Sequence, residues 1–176
     1  MRLEVGSGYH PNMDFDVHVD INPNCPHLEQ VGSADKLPWP DETFEELRAC
    51  DILEHFSYRD TIRVLKEWFR VLKPGGKIYI QCPNARLLAE RWIASDLPMM
   101  HEKGIAMPID FSASYWICGG QEDNTFAHAG DDWRWNAHYV LLSPNSLAYY
   151  LDVAGFDHWT IDSDGGSNMA VWAYKE

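Results

Sequence analysis

The chain has 176 residues, 45% of them hydrophobic, which suffices for one domain with a single core that needs neither metals nor disulfides to fold. Its 14 basic residues against 27 acidic residues give a formal net charge of −13. A protein that binds nucleic acid normally carries a basic face, so this charge disfavours tRNA and DNA as partners. We therefore expect one domain over residues 1–176 whose partner is a small molecule.

Cysteine usage and hydropathy give a first indication of the compartment. The four cysteines lie far apart and form no C-x-x-C pair, which is typical of reduced thiols in a cytosolic protein. No apolar run reaches the roughly 18–20 residues that a membrane span requires. A strand begins at Arg2, so we expect no signal peptide. These features predict a cytoplasmic protein that is not bound to a membrane.

Four short strands are predicted in the first third of the chain. They cover Arg2–Val5, Val17–Ile21, Val31–Ser33 and Phe44–Cys50. Only about ten residues join the first two strands, whereas a parallel pair usually needs a dozen or more. Any helix in that connection is therefore expected to be very short.

One helix is predicted with a clear amphipathic period. Its apolar residues recur at steps of four, three, four and three, and they are Tyr58, Ile62, Leu65, Phe69 and Leu72. The run Lys73-Pro74-Gly75-Gly76 is predicted to stop this helix. A strand over Lys77–Cys82 and a helix over about Ala85–Ala94 follow.

An irregular insertion is predicted at about residues 96–137. It holds four large aromatic residues, Trp116, Phe126, Trp133 and Trp135. A loop this long in a compact domain is usually functional, so we expect a substrate lid or a pocket wall.

The chain is predicted to close with a helix and a hairpin. The helix covers Ser143–Ala154, and two antiparallel strands at Trp159–Asp162 and Met169–Tyr174 flank a turn over residues 164–167. Alternating strands and helices before a hairpin imply an open, mostly parallel sheet. Its ligand is expected at the carboxyl ends of the strands.

The most informative local pattern is a glycine turn paired with an acid. Residues 3–8 read Leu-Glu-Val-Gly-Ser-Gly, and Asp20 follows twelve residues after Gly8 at the end of the second strand. Glycines let a ligand approach the backbone closely, and an acid in this place can accept hydrogen bonds from both ribose hydroxyls. The pair therefore predicts a site for an adenosine-type cofactor.

Several ordered segments over residues 2–84 resemble the class I S-adenosylmethionine-dependent methyltransferases, and in particular the small-molecule branch called methyltransferase type 11. They are Glu4-Val5-Gly6-Ser7-Gly8, Val19-Asp20, Asp35-Lys36-Leu37-Pro38-Trp39, Asp51-Ile52-Leu53-Glu54-His55-Phe56 and Arg70-Val71-Leu72-Lys73-Pro74-Gly75-Gly76-Lys77. The resemblance implies an α/β, Rossmann-like, mostly parallel sheet with helices on both faces and a C-terminal antiparallel hairpin, shortened at the N-terminus.

The resemblance also implies a set of cofactor-binding residues for S-adenosyl-L-methionine. They are Glu4, Gly6, Ser7, Gly8, Asp20, Ile21, Ala34, Asp35, Leu37 and Asp51. In the family pattern Gly6 and Gly8 pass the methionine part of the cofactor, and Asp20 binds the ribose. Asp35 accepts a hydrogen bond from the adenine amino group, and Asp51 lies beside the methyl group.

The remaining implied roles concern the edges of the pocket. Glu4 is implied to anchor the glycine turn, while Ala34 and Leu37 are implied to form walls for the adenine ring. The sequence departs from the family at the third glycine, where His10 stands. It also lacks the helix that commonly precedes the first strand, so that end of the pocket is expected to be open or supplied by another subunit, as in a homodimer.

Methyl transfer is an in-line displacement at a sulfonium carbon with a neutral leaving group, so the enzyme mainly positions the nucleophile. A base is needed for a hydroxyl or a protonated amine. His138 and His55 are the candidates because imidazole titrates near neutral pH. His138 follows the aromatic insertion and is expected to be the base or a substrate contact. His55 is expected to organise the pocket floor near Asp51, the third catalytic candidate.

The sequence thus predicts methyl transfer from S-adenosylmethionine to a small acceptor, first of all a hydroxyl of a sugar or metabolite, with S-adenosyl-L-homocysteine as product. No metal is expected, because the eight histidines show no ligand spacing. One alternative is a catalytically inactive cofactor-binding module or partner subunit. Another is a protein or RNA methyltransferase, which predicts a basic groove or a peptide cleft.

Overall fold

The computed structural model describes residues 1–97, 101–102, 105–119, 136–164 and 166–176. Its strands are β1 Arg2–Val5, β2 Val17–Asp20, β3 Gln30–Val31, β4 Phe44–Cys50, β5 Leu72–Pro83, β6 His101–Glu102, β7 Ile105–Ala106, β8 His158–Ser163 and β9 Asn168–Tyr174. Its helices are α1 Thr61–Val71, α2 Ala85–Ile93, α3 Ile109–Cys118 and α4 Pro144–Ala154, with one 3-10 turn at Leu53–His55.

Seven strands form one sheet in the order β3-β2-β1-β4-β5-β9-β8, and β6 pairs with β7 in a small separate hairpin. The strands β1 to β5 are parallel to one another, while β9 is antiparallel to both of its neighbours. The predicted mostly parallel sheet with a closing hairpin is confirmed. The strand order reverses between β1 and β4, which is where open α/β sheets bind their ligands.

The apolar core lies on one face of the sheet. Leu47, Ile78 and Val171 point to this face from three strands and are fully buried. Trp68 of α1 and Leu147 of α4 belong to the same cluster, so these two helices cover that face. Burying side chains of this size supplies most of the free energy that stabilises the sheet.

The opposite face of the sheet is more polar. Arg48, Tyr79 and Trp172 alternate with the core residues along their strands and are partly exposed. The connections that follow β1 and β2 contain no helix. This agrees with the very short crossover that the sequence predicts between the first two strands. No helix in the described ranges combines the length and apolar character needed to cross a bilayer.

The strand predicted at Val31–Ser33 lies at Gln30–Val31, and two other predicted elements differ more strongly in where they begin. The strand after α1 begins at Leu72 and not at Lys77, because Gly75 and Gly76 are held by the C-terminal segment. The Gly75 N–H donates to the Lys175 carbonyl at 2.7 Å, and the Lys175 N–H donates to the Gly76 carbonyl at 2.9 Å. The periodic helix likewise begins at Thr61 and not at Tyr58.

The insertion at 96–137 is not irregular throughout, because it contains the ten-residue helix α3. Ser112 and Ala113 of α3 are buried, and Ala113 packs with Leu88 and Leu97 in a small separate cluster. The apolar residues of α3 are spread around the helix, with Phe111 on an exposed side, so the sequence shows no clear helical period and the pattern missed this helix. The predicted aromatic residues Phe126, Trp133 and Trp135 lie outside the described residues.

Lys175 ties the last strand to the end of α1. The residue as a whole is 8% exposed. The ammonium donates to the carbonyls of Phe69 and Leu72 at 3.1 and 2.7 Å. It also lies 4.7 Å from the centre of the Phe69 ring. The last carbonyl groups of a helix have no partner within the helix, so this lysine satisfies groups that would otherwise be buried without one.

We expect the substitution Lys175→Met to lower the free energy of unfolding by about 1–3 kcal/mol, because it leaves buried carbonyl groups without a donor. Urea denaturation followed by circular dichroism measures the change. Lys36→Met is the matched control, since Lys36 is exposed. It should change stability by less than about 0.5 kcal/mol. Equal effects of the two substitutions would contradict the anchoring role of Lys175.

Candidate active site

Within the described part of the chain, two cavities open at the carboxyl ends of the central strands. The first measures about 300 Å³ and is lined by Gly6, Asp20, Ile21, Gly32, Ser33, Ala34, Ile52, His55, Phe56 and Tyr139. The second measures about 280 Å³ and is lined by Asp51, Glu54, His55, Pro83, Leu88, Tyr115, Trp116, Gly119, Asn136, His138, Ser167 and Asn168. His55 lines both, so the two cavities share a wall.

The glycine turn after β1 is fixed by the neighbouring strand. The Gly6 N–H donates to the Val19 carbonyl of β2 at 2.8 Å. Gly6 has a φ of +64°, and a Cβ atom placed on it would lie 2.8 Å from the side chain of Ile52. Any other residue would therefore be strained in its backbone and would collide with the wall of the first cavity.

Asp20 follows Val19 at the end of β2 and lines the first cavity. The N–H of Gly8 donates to Oδ2 of Asp20 and the N–H of Asn22 donates to Oδ1, both at 2.8 Å. Each carboxylate oxygen can accept a second hydrogen bond. The carboxylate is therefore held in one orientation and still has acceptor capacity for a ligand.

Glu4 stabilises the loop that follows this glycine turn. Its side chain is almost fully buried and pairs with the guanidinium of Arg48. Its other oxygen accepts a hydrogen bond from the Asn12 N–H at 2.7 Å and lies 3.7 Å from Nε2 of His18. Glu4 thus ties the loop that follows Gly6 to the sheet, without lining either cavity.

Of the three residues predicted to surround the adenine ring, only Ala34 lines the first cavity. Its carbonyl is fixed by the Trp68 indole N–H at 2.8 Å. Asp35 does not line the cavity, because its carboxylate pairs with Arg63 at 2.5 Å. Leu37 is buried in the core, and its N–H donates to Glu67. Gly32 and Ser33, which sequence reasoning missed, line the cavity in their place.

Asp51 directly follows β4 and lines the second cavity. The sequence analysis predicted it both as a catalytic residue and as a cofactor-binding residue, but it does not line the first cavity. Its φ is +52°, which is an uncommon conformation for a residue with a side chain. Gln81 and Asn168 approach its two oxygens at 3.4 and 3.5 Å. The unusual backbone turns the chain sharply from β4 into the 3-10 turn that carries Glu54 and His55.

Glu54 is a further residue that sequence reasoning missed, and it lines the second cavity. It is 2% exposed, and neither carboxylate oxygen has a hydrogen-bond partner in the part of the chain that the structure describes. Burial raises the pKa of Glu54 well above its usual range, and nearby Asp51 adds to the rise.

His55 and His138 meet beside Glu54, with ring centres 5.2 Å apart. Nδ1 of His55 lies 3.0 Å from the Ala137 carbonyl, and Nδ1 of His138 lies 3.2 Å from the Ile117 carbonyl. Burial lowers the pKa of both imidazoles, and for His138 the proximity of His55 contributes to a pKa of about 4. Both rings are therefore neutral near pH 7.

The wall opposite the histidines comes from α3. Tyr115 and Trp116 line the second cavity, as expected for an aromatic pocket wall in this part of the chain. Their rings lie 5.3 Å apart in an edge-to-face arrangement. Amide groups of Asn136 and Asn168 add polar contacts. The cavity thus has apolar walls and a few convergent polar groups, as small-molecule sites usually do.

Known proteins share this architecture. Residues 14–80 match the family described as a methyltransferase domain. The curated ubiquinone/menaquinone biosynthesis C-methyltransferase UbiE of Edwardsiella ictaluri is 24% identical over 141 residues, which are 79% of this chain and 49% of that protein. The chain therefore spans about half the length of this relative.

Solved structures are similar over nearly the whole chain. A SAM-dependent methyltransferase from Archaeoglobus fulgidus matches 99% of this chain and 85% of its own, with 15% identity and a TM-score of 0.63. The 4+2 cyclase SpnF matches 99% of this chain and 74% of its own, with 17% identity and a TM-score of 0.59. At this level of identity the likeness shows a shared fold.

The first cavity fits the S-adenosylmethionine that this fold family uses. Its size lies at the lower end of the range of about 300–1,000 Å³ for ligand pockets. The fixed carboxylate of Asp20 suits a pair of ribose hydroxyls, and Ala34 and Phe56 offer apolar surface to a ring. The Ser7 hydroxyl in the glycine turn is buried and has no hydrogen-bond partner among the described residues. A ligand in the turn would satisfy it.

We expect Gly6→Ala to weaken the binding of S-adenosylhomocysteine at least about tenfold, since left-handed backbone costs alanine about 1–2 kcal/mol and the new methyl group meets Ile52. Gly8→Ala is the matched control. Gly8 has a similar φ of +58°, but a Cβ atom there meets nothing within 4 Å. Titration calorimetry compares the two variants, and an equal loss of affinity would show that the contact with Ile52 is unimportant.

Proposed function

We propose that this chain is a class I S-adenosylmethionine-dependent methyltransferase and that it methylates a hydroxyl oxygen of a small metabolite. One observation carries the proposal. His55 lines both cavities, so a cofactor-sized cavity and an acceptor-sized cavity meet at a neutral imidazole. A hydroxyl group in the second cavity would therefore lie next to the part of the cofactor that reaches His55 in the first cavity.

The residues proposed to hold the cofactor come from four segments. Gly6 is proposed to lie against the methionine part of the cofactor, and Asp20 is proposed to bind its ribose. Ala34 and Phe56 are proposed to enclose the adenine ring. When bound, S-adenosylmethionine supplies an electrophilic methyl group on a sulfonium whose leaving thioether is neutral. The chain's own residues then need to position an acceptor and to exclude water, which accounts for several kcal/mol of a typical barrier.

The second cavity is proposed to bind an acceptor that is uncharged where it reacts. The imidazoles of His55 and His138 are neutral, so each can accept a proton from a hydroxyl group. Tyr115 and Trp116 offer flat apolar surface to a sugar or an aromatic ring. The net charge of −13 supports a small acceptor over a nucleic acid, because polyanions bind basic surfaces.

Two alternatives remain testable within the same fold. The relative UbiE is named a C-methyltransferase, so transfer to carbon is the nearest variation on the proposed chemistry. SpnF is named a cyclase, and its similarity illustrates that this fold serves other reactions. The second alternative for this chain is a module that binds the cofactor and performs no methyl transfer. The identity of the methylated atom in the product distinguishes the proposed O-methylation from C-methylation. The presence of turnover distinguishes an enzyme from a module that only binds the cofactor.

Asp20→Ala should weaken S-adenosylhomocysteine binding by about 10–100-fold, because hydrogen bonds to a charged group contribute about 1.5–3 kcal/mol. Asp35→Ala is the matched control, because its carboxylate faces Arg63 and not the cavity. We expect the control to stay within about threefold of the parent chain. Titration calorimetry measures both variants, and no binding by the parent chain at millimolar ligand would refute the proposed function.

Turnover is tested with radiolabelled S-adenosylmethionine and a panel of small hydroxyl compounds. His138→Ala should lower kcat by about 10²–10⁴-fold while S-adenosylhomocysteine affinity stays unchanged, because His138 lines only the second cavity. Product analysis by nuclear magnetic resonance locates the new methyl group. Tight binding of S-adenosylhomocysteine without transfer to any compound of the panel would favour the non-catalytic module.

A further inference from the structure

We propose that Glu54, His55 and His138 form a binding site for a divalent transition-metal ion of the Zn²⁺ type. One ligand atom of each residue lies within 4.8 Å of the others. The role that we assign to this ion is to bind the acceptor oxygen, and this role rests on the proposed function. The ion site itself does not, because its three residues are brought together by the fold alone.

The donor set is the one that such ions select. Catalytic zinc sites commonly use three protein ligands, two histidines and a glutamate among them, and keep a fourth position open. Two imidazoles with one carboxylate are likewise a recurrent set for other first-row metals. The three residues are separated by up to 84 positions in the chain, so the sequence shows no ligand spacing. This is why the sequence predicted no metal.

The buried carboxylate of Glu54 is an independent indication of a ligand. Both of its oxygens are inaccessible to solvent and have no hydrogen-bond partner within the described residues. An ionised carboxylate in such a place is strongly unfavourable unless a cation or donors compensate it. Among the described residues that line this cavity there is no arginine or lysine. A divalent cation between Glu54 and the two imidazoles would supply the missing compensation.

The histidines are oriented as metal-ligating histidines usually are. Nδ1 of each ring lies within hydrogen-bond distance of a main-chain carbonyl, that of Ala137 for His55 and that of Ile117 for His138. A neutral imidazole that donates through Nδ1 carries its lone pair on Nε2. Carbonyl groups that accept from the second ring nitrogen orient and strengthen such ligands.

The three ligands are also held at fixed positions relative to one another. Glu54 and His55 are neighbours in one 3-10 turn. The main-chain carbonyl of Glu54 accepts from the Tyr139 N–H at 2.8 Å, and the His138 N–H donates to the Cys118 carbonyl at 2.9 Å. The segment that carries His138 is therefore tied to both the turn and the end of α3. Such rigidity favours binding, because little ordering is left for the ion to impose.

The ion would act on the acceptor through its open position. One carboxylate and two neutral imidazoles leave a bound divalent ion with one net positive charge. A hydroxyl on such an ion loses its proton more readily, as metal-bound water does. The proton leaves to solvent, the oxygen forms the new bond to the methyl carbon, and the electron pair of the broken carbon–sulfur bond stays on sulfur. With the ion bound, the histidines serve as ligands and not as proton acceptors.

Zinc binding by the metal-stripped full chain tests the site. Titration calorimetry with Zn²⁺ should give one ion per chain with micromolar affinity or better. Glu54→Gln keeps the shape of the side chain and should weaken this binding at least about tenfold, and His138→Ala should do the same. His158→Ala is the control, because His158 is an exposed histidine at the start of β8. It should leave the affinity and the stoichiometry unchanged.

A second titration with S-adenosylhomocysteine separates this inference from the proposed function. Glu54→Gln should retain that affinity within about threefold, which also shows that the variant folds. Absence of zinc binding in a chain that binds S-adenosylhomocysteine overturns the ion site alone. Zinc affinity unchanged by Glu54→Gln overturns it as well. Zinc binding without S-adenosylhomocysteine binding overturns the proposed function and leaves the ion site standing. A visible absorption band on titration with Co²⁺, lost in His138→Ala, would confirm imidazole ligation.

Discussion

The hydrogen bond between the Gly6 N–H and the Val19 carbonyl is the contact on which the site depends. It fixes the turn after β1 against the end of β2, so that Asp20, the next residue, stands at the mouth of the first cavity. Glu4 holds the following loop through Asn12. The part of the cavity wall at the glycine turn is therefore held in position by the sheet, and a ligand there meets groups that are already ordered.

The second cavity is built on a different principle. Its polar groups are side chains from segments far apart in the chain, and they converge because the 3-10 turn and the strand ends meet beneath α3. Glu54 is buried there beside the half-buried, neutral imidazoles of His55 and His138, and its carboxyl group has no partner within the described residues. Such an arrangement is unfavourable for folding by itself. It is typical of places where chemistry, and not stability, determines the residue.

The sequence predicted what depends on neighbours along the chain. The succession of strands along the chain, the glycine turn and the position of Asp20 follow from local patterns, because each parallel strand brings its own terminal residue to the same edge of the sheet. The sequence could not predict that Arg63 turns Asp35 away from the cavity, since that ion pair joins residues 28 positions apart. Nor could it place His138 against His55 and Glu54, because only the packing of α3 decides that contact.

The loop that follows Gly6 reaches β2 without forming a helix. In many nucleotide-binding folds the glycine turn leads directly into a helix, whose dipole attracts the anionic part of the ligand over several ångströms. Here that long-range field is missing between β1 and β2, and individual N–H groups at short range take its place. Ligand retention in this protein is therefore governed by the exact shape of a short peptide segment, and dissolved salt, which screens helix dipoles, should have little influence on it.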